Sequence, residues 1–235
     1  MNKKLGIVGG MGSWATAYVF SEIINLTKAS CDNEHIHILV DNNTDIPDRT
    51  ASIYENGASP IPEIIASIKF MEMWGAEIII IPCNTSHYYY KTIESSTDIK
   101  ILNIIDITTN SCKIKHNNKC CGILATIGTL GAGLYQSALK RLDIPFIIPD
   151  QIQSKVIMDF IYNYVKGNKD LRKGINNLLP VIDKMKRLGA DYFVLACTEL
   201  SILSKHNICT PYEFVDSSLE LAKAAITEVG YDIKL

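Results

Sequence analysis

Two cysteines occupy matched places in a phrase that the chain carries twice. Residues 75–87 read G-A-E-I-I-I-I-P-C-N-T-S-H and residues 189–200 read G-A-D-Y-F-V-L-A-C-T-E-L. In each copy a glycine is followed two residues later by an acid, then by four apolar residues, with Cys83 or Cys197 just past their end, 114 residues apart (197 − 83). A short apolar run bounded by turn signals suits a buried parallel strand, although periodicity alone does not exclude a helix. Both thiols then stand at the carboxyl ends of strands, where open α/β sheets bind ligands. The polar residues that follow, Asn84, Thr85 and Ser86 in one copy and Thr198 and Glu199 in the other, read as helix openings. The unpaired amides and dipole of such an opening favour thiolate, the reactive form of cysteine. A lone cysteine at such a place is more often a small buried hydrophobe. Duplication makes that the poorer account here.

The elements that must position these thiols fall into two halves of similar build. Leu5–Val8 is a strand candidate, and G-G-M-G-S-W-A leads from it into a helical pattern from about Ala15. Gly10, Gly12 and Ala15 satisfy the dinucleotide fingerprint G-x-G-x-x-[GA], but the acid expected about 20 residues on would be Asp41, which lies further away. A glycine turn at a helix N-terminus, open to any anion, is the broader reading. His35–Val40 is the second strand candidate, with His35 and His37 as packing or surface residues, and the polar loop after it holds Arg49. An arginine there either clamps a carboxylate through two parallel hydrogen bonds or is a solvated loop residue. From Pro60 an apolar stripe at helical spacing runs to Gly75, the expected stop. His87, one helical turn past Cys83, is assigned a supporting role.

Ile101–Ile105 ending in Asp106, and Phe214–Val215 ending in Asp216, form a further matched pair of strand candidates. C-G-I-L-A-T-I-G-T from Cys121 echoes G-I-V-G-G-M-G from Gly6, with Gly122 and Gly6 offset by 116 residues (122 − 6). Two nearly equal offsets point to a duplicated βαβ unit, which winds right-handedly into a parallel sheet. In the second half Leu142–Ile148 is a strand candidate and Ile152–Val165 a helix. Lys166, just before Gly167, reads either as a dipole-complementing residue or as an anion ligand. Residues 176–188 are expected to be helical, with Pro180 marking a kink or a late start, and 217–229 form a last amphipathic helix.

Composition narrows the function classes. The formal net charge of −2 arises from interspersed charges, with no basic tract for nucleic acid or an anionic membrane, so a small-molecule ligand is expected. Seven cysteines without C-x-x-C or zinc-type spacing read as reduced thiols of a soluble, cytoplasmic and unprocessed protein, with Cys112, Cys120, Cys121 and Cys209 structural. No apolar run approaches membrane-spanning length.

With these residues in view, the chain resembles the aspartate/glutamate racemase family, the cofactor-independent amino-acid racemases. The resemblance rests on G-I-V-G-G-M-G, P-D-R-T at 47–50, P-C-N-T-S-H at 82–87, A-T-I-G-T at 125–129 and A-C-T-E-L at 196–200. Glutamate racemases typically carry an aspartate in the first glycine loop and a histidine after the second Cys-Thr. This chain has no aspartate in that loop and has Glu199 after Thr198, so it looks closer to the aspartate racemase branch, with Ser13 where that branch often has proline. The resemblance implies an α/β fold of two similar pseudo-symmetric lobes, each a parallel sheet flanked by helices, with the active site between them. It further implies that the C-terminal helix returns to the first lobe, so that residues 1–100 with 210–235 make one lobe and 101–209 the other. It casts Cys83 and Cys197 as acid/base residues, Arg49 and Lys166 as ligands of substrate carboxylates, and Asn84, Thr85, Thr126, Thr198 and Glu199 as pocket residues. A homodimer, an acidic amino-acid substrate and no pyridoxal phosphate or other cofactor complete the expectation. A cysteine-dependent decarboxylase or cis–trans isomerase of the same superfamily, a nicotinamide-dependent enzyme and a non-catalytic acidic amino-acid-binding protein are the alternatives.

Overall fold

A computed structural model describes residues 3–205 and 212–234 of the chain; Cys209 lies outside the described residues. The chain divides into two compact units, Met1–Ile107 with Ser218–Leu235, and Thr108–Ser217. The boundaries fall near Ile107 and Ser217, where the sequence reading drew them at 100 and 209.

The first unit contains β1 (Leu5–Val8), α1 (Ser13–Leu26), β2 (Ile38–Asp41), α2 (Arg49–Tyr54), α3 (Ile61–Trp74), β3 (Ile78–Ile80), a 3₁₀ turn at Thr85–Tyr89, α4 (Tyr90–Glu94) and β4 (Lys100–Leu102). Its sheet is wholly parallel in the order β2-β1-β3-β4. α5 (Ile104–Lys115) leads into the second unit. There follow β5 (Cys121–Leu124), α6 (Ile127–Gly131), α7 (Leu134–Arg141), β6 (Phe146–Ile147), α8 (Gln151–Asp159), a π-helical segment at Phe160–Lys166, α9 (Leu171–Arg187), β7 (Tyr192–Leu195), a 3₁₀ turn at Thr198–Ser201, α10 (Ile202–Lys205) and β8 (Phe214–Asp216). The second sheet, β6-β5-β7-β8, repeats the strand order of the first, again all parallel. α11 (Ser217–Glu228) follows β8 directly. The expected α/β class with two similar parallel sheets is therefore present.

Local chemistry accounts for most of the boundaries. α3 buries Ile64, Ile68 and Met71 against the sheet and ends at Gly75, whose left-handed φ of 87° lets its own N–H and that of Ala76 return to the Met71 carbonyl. Gly189 ends the equivalent helix of the second unit in the same region, at φ 109°. β1, β3, β5 and β7 read as unbroken apolar runs because both faces of a parallel sheet are covered.

The strand expected at Leu142–Ile148 shrinks to Phe146–Ile147, since Leu142 still closes α7, and three further expectations change. The strand proposed at Ile101–Ile105 stops at Leu102 and a helix begins at Ile104, so Asp106 lies in the first turn of α5 and is not a strand-end match for Asp216. The side chain of Asn103 drives this: its Oδ1 accepts from the N–H groups of Ile105 and Asp106 at 2.9 and 3.2 Å. Second, β2 starts only at Ile38, leaving His37 to meet the Trp74 ring edge-on. Third, α9 runs without interruption through Pro180, held by the burial of Leu178, Val181, Ile182 and Met185 on one face. That apolar contact offsets a proline cost of about 3 kcal/mol.

The duplicated glycines are matched in position but not in tolerance. An added Cβ at Gly6 would meet the flexible thioether of Met71 at 2.9 Å, whereas at Gly122 it would enter the ring of Phe193, its in-register partner on β7, at 2.4 Å. Methionine re-rotates and a packed ring does not. Gly122→Ala is expected to cost about 1–3 kcal/mol and Gly6→Ala clearly less. Urea denaturation of the two variants checks the order, and equal losses would contradict it.

Candidate active site

The polar residues proposed for the site from the sequence stand in loops at the carboxyl ends of parallel strands or on the helices that those loops open. In the first unit Cys83 lies three residues beyond β3, 5% exposed, within an apolar cluster that includes Val8, Met11, Ile46 and Ile81. Its loop is held from several directions. The Ser86 hydroxyl donates to the Cys83 carbonyl at 2.8 Å, and the His87 ring Nδ1 lies 2.9 Å from the same oxygen. On the other side of that ring, the backbone N–H of Ile104 donates to Nε2 at 3.3 Å. In the tautomer that matches the Ile104 contact, Nε2 accepts and Nδ1–H donates to the Cys83 carbonyl; the Leu102 carbonyl is a further backbone acceptor beside the ring. Burial pushes the His87 pKa down, with only partial opposition from its hydrogen bonds and from Asp106. His87 therefore ties the cysteine loop to the start of α5, which gives the supporting role expected for it a geometry.

Arg49 opens α2 and is nearly buried, at 7% exposure. Its Nη2 donates to the Met11 carbonyl at 2.8 Å and its Nη1 to the Pro47 carbonyl at 3.0 Å, so the guanidinium joins the loops that follow β1 and β2. Gly10 serves the same junction: at φ 86° it lets the backbone pass so close to Asn43 that a Cβ would lie 2.0 Å from that carbonyl oxygen. Its N–H donates to the Thr16 hydroxyl at 3.0 Å. The glycines thus bring two loops together, and the Gly10 amide is already engaged inside the protein.

In the second unit Cys197 lies two residues beyond β7, 6% exposed. Its Sγ donates to Oε2 of Glu199 at 3.1 Å, and the Thr198 hydroxyl donates to the same oxygen at 3.3 Å. The other carboxylate oxygen, Oε1, faces Nζ of Lys166 at 3.5 Å. Lys166 closes the π-helical segment, 26% exposed, with its Nζ 4.9 Å from the centre of the Tyr162 ring. Such wide helical turns are frequent at functional sites, and helical periodicity in the sequence gives no sign of this one. Thr126 caps α6 by accepting from the Thr129 N–H and lies buried after β5.

One expectation fails for Cys197. A helix opening was expected to favour its thiolate, yet its pKa is pushed well above the usual thiol range, chiefly by burial and then by the charge of Glu199, against the opposing pull of Lys166. The helix opening does pull the other way, through the Glu199 backbone amide, but Thr198–Ser201 and α10 together make only a short helical run, and burial and the Glu199 charge outweigh it. Asn84 likewise stands just before a short 3₁₀ turn that Thr85 begins, without a side-chain cap at Asn84.

Sequence reasoning also missed a second tether. Ser201 stands four residues after Cys197, as His87 does after Cys83, and its hydroxyl donates to the buried carboxylate of Asp216 at the end of β8 at 2.7 Å. In both units the fourth residue past the cysteine is therefore bound where the edge strand of the sheet gives way to the next helix. The repeated spacing is the signal from which this could have been read; the change of residue type hides it.

The family model described as Asp/Glu/Hydantoin racemase matches residues 8–225. Aspartate racemase of Picrophilus torridus is a similar solved structure, 33% identical, with a TM-score of 0.87 over 98% of this chain and 96% of that one. The broad specificity amino-acid racemase RacX of Bacillus subtilis is 26% identical over 227 residues, 95% of this chain and 96% of its own. Glutamate racemase of Francisella tularensis in complex with D-glutamate shares the fold at 16% identity, with a TM-score of 0.67 over 97% of this chain and 81% of that one.

The His87 bridge generates a pH-dependent expectation. Because the folded-state pKa of His87 is depressed below its unfolded value, the unfolded chain binds the proton more tightly; the stability is present above about pH 6.5 and is lost as pH falls below it. His87→Ala should cost about 1–3 kcal/mol near neutrality for the two lost hydrogen bonds and should lose less further stability on acidification than the wild type. His116, whose pKa is also depressed by burial, is present in both proteins and drops out of the difference. Urea midpoints on either side of pH 6.5 provide the check, and parallel losses in the two proteins would refute the bridge.

Proposed function

The chain belongs to the Asp/Glu/hydantoin racemase family and is an amino-acid racemase, an isomerase, and we propose that it interconverts the L and D forms of aspartate, glutamate or both through the thiols of Cys83 and Cys197. One observation carries this reading. Two sheets of identical strand order each bury a cysteine just beyond the strand next to the edge, so a duplicated scaffold carries a duplicated proton-transfer group. Inversion at Cα needs a base for one face of the carbon and an acid for the other, and a pair of like groups can exchange those roles with the direction of reaction.

In each turnover one cysteine, as thiolate, takes the Cα proton and becomes a thiol. The electron pair left on Cα delocalises into the adjoining carboxylate, and the second cysteine, starting as a thiol, gives its proton to the opposite face and becomes thiolate. The Cα–H bond is a far weaker acid than a thiol, so the developing charge needs fixed positive partners. Lys166 and Arg49 are proposed to supply them by binding the substrate carboxylates. Lys166 would exchange its contact with Glu199 for one with substrate, and Arg49 is already oriented by the carbonyls of Met11 and Pro47. Asn84, Thr85, Thr126 and Thr198 are proposed to line the site around them. The likeness to an aspartate racemase at 33% identity supports an acidic substrate. Since one methylene separates aspartate from glutamate and is worth only about 1–3 kcal/mol in a pocket, activity on both is expected. The thiol pair supplies both proton-transfer groups, so the chemistry calls for no pyridoxal phosphate.

Cys83→Ser and Cys197→Ser should each abolish racemisation, because a hydroxyl is too weak an acid to exchange roles with a thiol. In D₂O each variant is expected to wash deuterium into one enantiomer while returning that same enantiomer, with opposite preferences in the two variants. Chiral chromatography with mass detection reads both outcomes. Racemisation at the wild-type rate by either variant would exclude the two-base mechanism.

A further inference from the structure

The two cysteines occupy equivalent places, but their surroundings do not match. Two residues after Cys83 stands Thr85; two residues after Cys197 stands Glu199, 2% exposed. The Glu199 carboxylate accepts from the Cys197 thiol at 3.1 Å through one oxygen and faces Lys166 at 3.5 Å through the other. The charged side chains acting on this thiol are Glu199 and, against it, Lys166. A carboxylate that accepts a hydrogen bond from a thiol in a buried site stabilises the protonated sulfur and opposes the thiolate, because two negative groups about 3 Å apart cannot both be charged without severe cost.

From this geometry we propose that Glu199 is a positioning residue that keeps Cys197 protonated and aimed, so that the resting enzyme begins each cycle with Cys197 as the acid and Cys83 as the base. The inference deepens the two-base reading given above and rests on it. It divides the labour of a pair that the duplication alone leaves equivalent. After one turnover in the favoured direction, Cys83 carries the abstracted proton and Cys197 is a thiolate beside a carboxylate. That is the less stable of the two protonation states, and it returns to the resting state either by processing the opposite enantiomer or by exchanging protons with solvent. Lys166 sets how strong the bias is, since it neutralises part of the Glu199 charge while their contact persists.

The test reads the protonation of Cys197 directly in the full-length folded protein. The ultraviolet absorbance of its thiolate is titrated as the difference between each protein and the same protein carrying Cys197→Ser. Glu199→Gln keeps the shape and an accepting oxygen but removes the charge, and is expected to lower the Cys197 midpoint by about 1 pH unit or more. Lys166→Met, at a partly exposed position, approaches the contact from its other side and should move the midpoint upward. In the pH profile of kcat/KM, Glu199→Gln should bring the alkaline limb, which reports the loss of the required thiol, down by a similar amount without moving the acid limb, which reports protonation of the base. A midpoint that is unchanged or raised in Glu199→Gln overturns the inference, as does a lowered midpoint with an unmoved alkaline limb. Failure of the two-base reading itself is visible separately, as racemisation that survives Cys83→Ser or Cys197→Ser.

Discussion

Parallel strands cannot be joined by a tight turn; each must be followed by a crossover that returns to the other end of the sheet, so every carboxyl end falls on one edge. That constraint organises this protein. In the first unit it brings together the glycine loop after β1, the Arg49 loop after β2 and Cys83 after β3. In the second it places Thr126 after β5 and Cys197 after β7 at the corresponding edge. The loops are free to carry chemistry because the central strands behind them, β1, β3, β5 and β7, are fully covered and contribute the core.

Strand ends alone do not hold side chains still, and each unit adds its own fastening. Arg49 spends its guanidinium on carbonyls from two loops. His87 bridges the Cys83 carbonyl and the Ile104 amide, and Ser201 reaches Asp216. These are buried polar contacts, which gain only about 1 kcal/mol when made but cost more when a partner is left unsatisfied. Their effect is to restrict geometry more than to add stability. The cysteines inherit this restriction through their backbone, Cys83 within an apolar cluster and Cys197 against the Glu199 carboxylate.

The duplication makes the two halves alike in topology and unlike in charge. At the second position past the cysteine, one unit has threonine and the other glutamate; at the fourth, one has histidine and the other serine. Under the proposed two-base mechanism, which needs one thiolate and one thiol, such a difference would serve the pair, because strict equivalence would leave the protonation state to chance between two degenerate arrangements. In the second unit the combined desolvation and charge around Cys197 oppose its ionisation. The short helical run that opens after it, with the Glu199 amide at its start, does not counter them.

The sequence by itself determined the repeated sheet. Its apolar runs, its helix-ending glycines at 75 and 189 and the nearly equal offsets of its motifs are consequences of strand period, left-handed backbone and burial, all of which are local. The two thiols were legible for the same reason, as residues placed a fixed step beyond apolar strands. What only the tertiary structure decided is where the long polar side chains point. Arg49 and Lys166 could be picked out from their loop and helix-end places, but the Met11 carbonyl that Arg49 binds and the Glu199 carboxylate opposite Lys166 come from residues 38 and 33 positions away in the chain. The early helix start at Asn103, the continuous helix through Pro180 and the π-helical turn that ends at Lys166 likewise depend on packing and on a capping side chain rather than on propensity. The rise of the Cys197 pKa is of the same kind, since a helix opening can be read from spacing but the desolvation and charge that outweigh it exist only once the chain has folded around the sulfur.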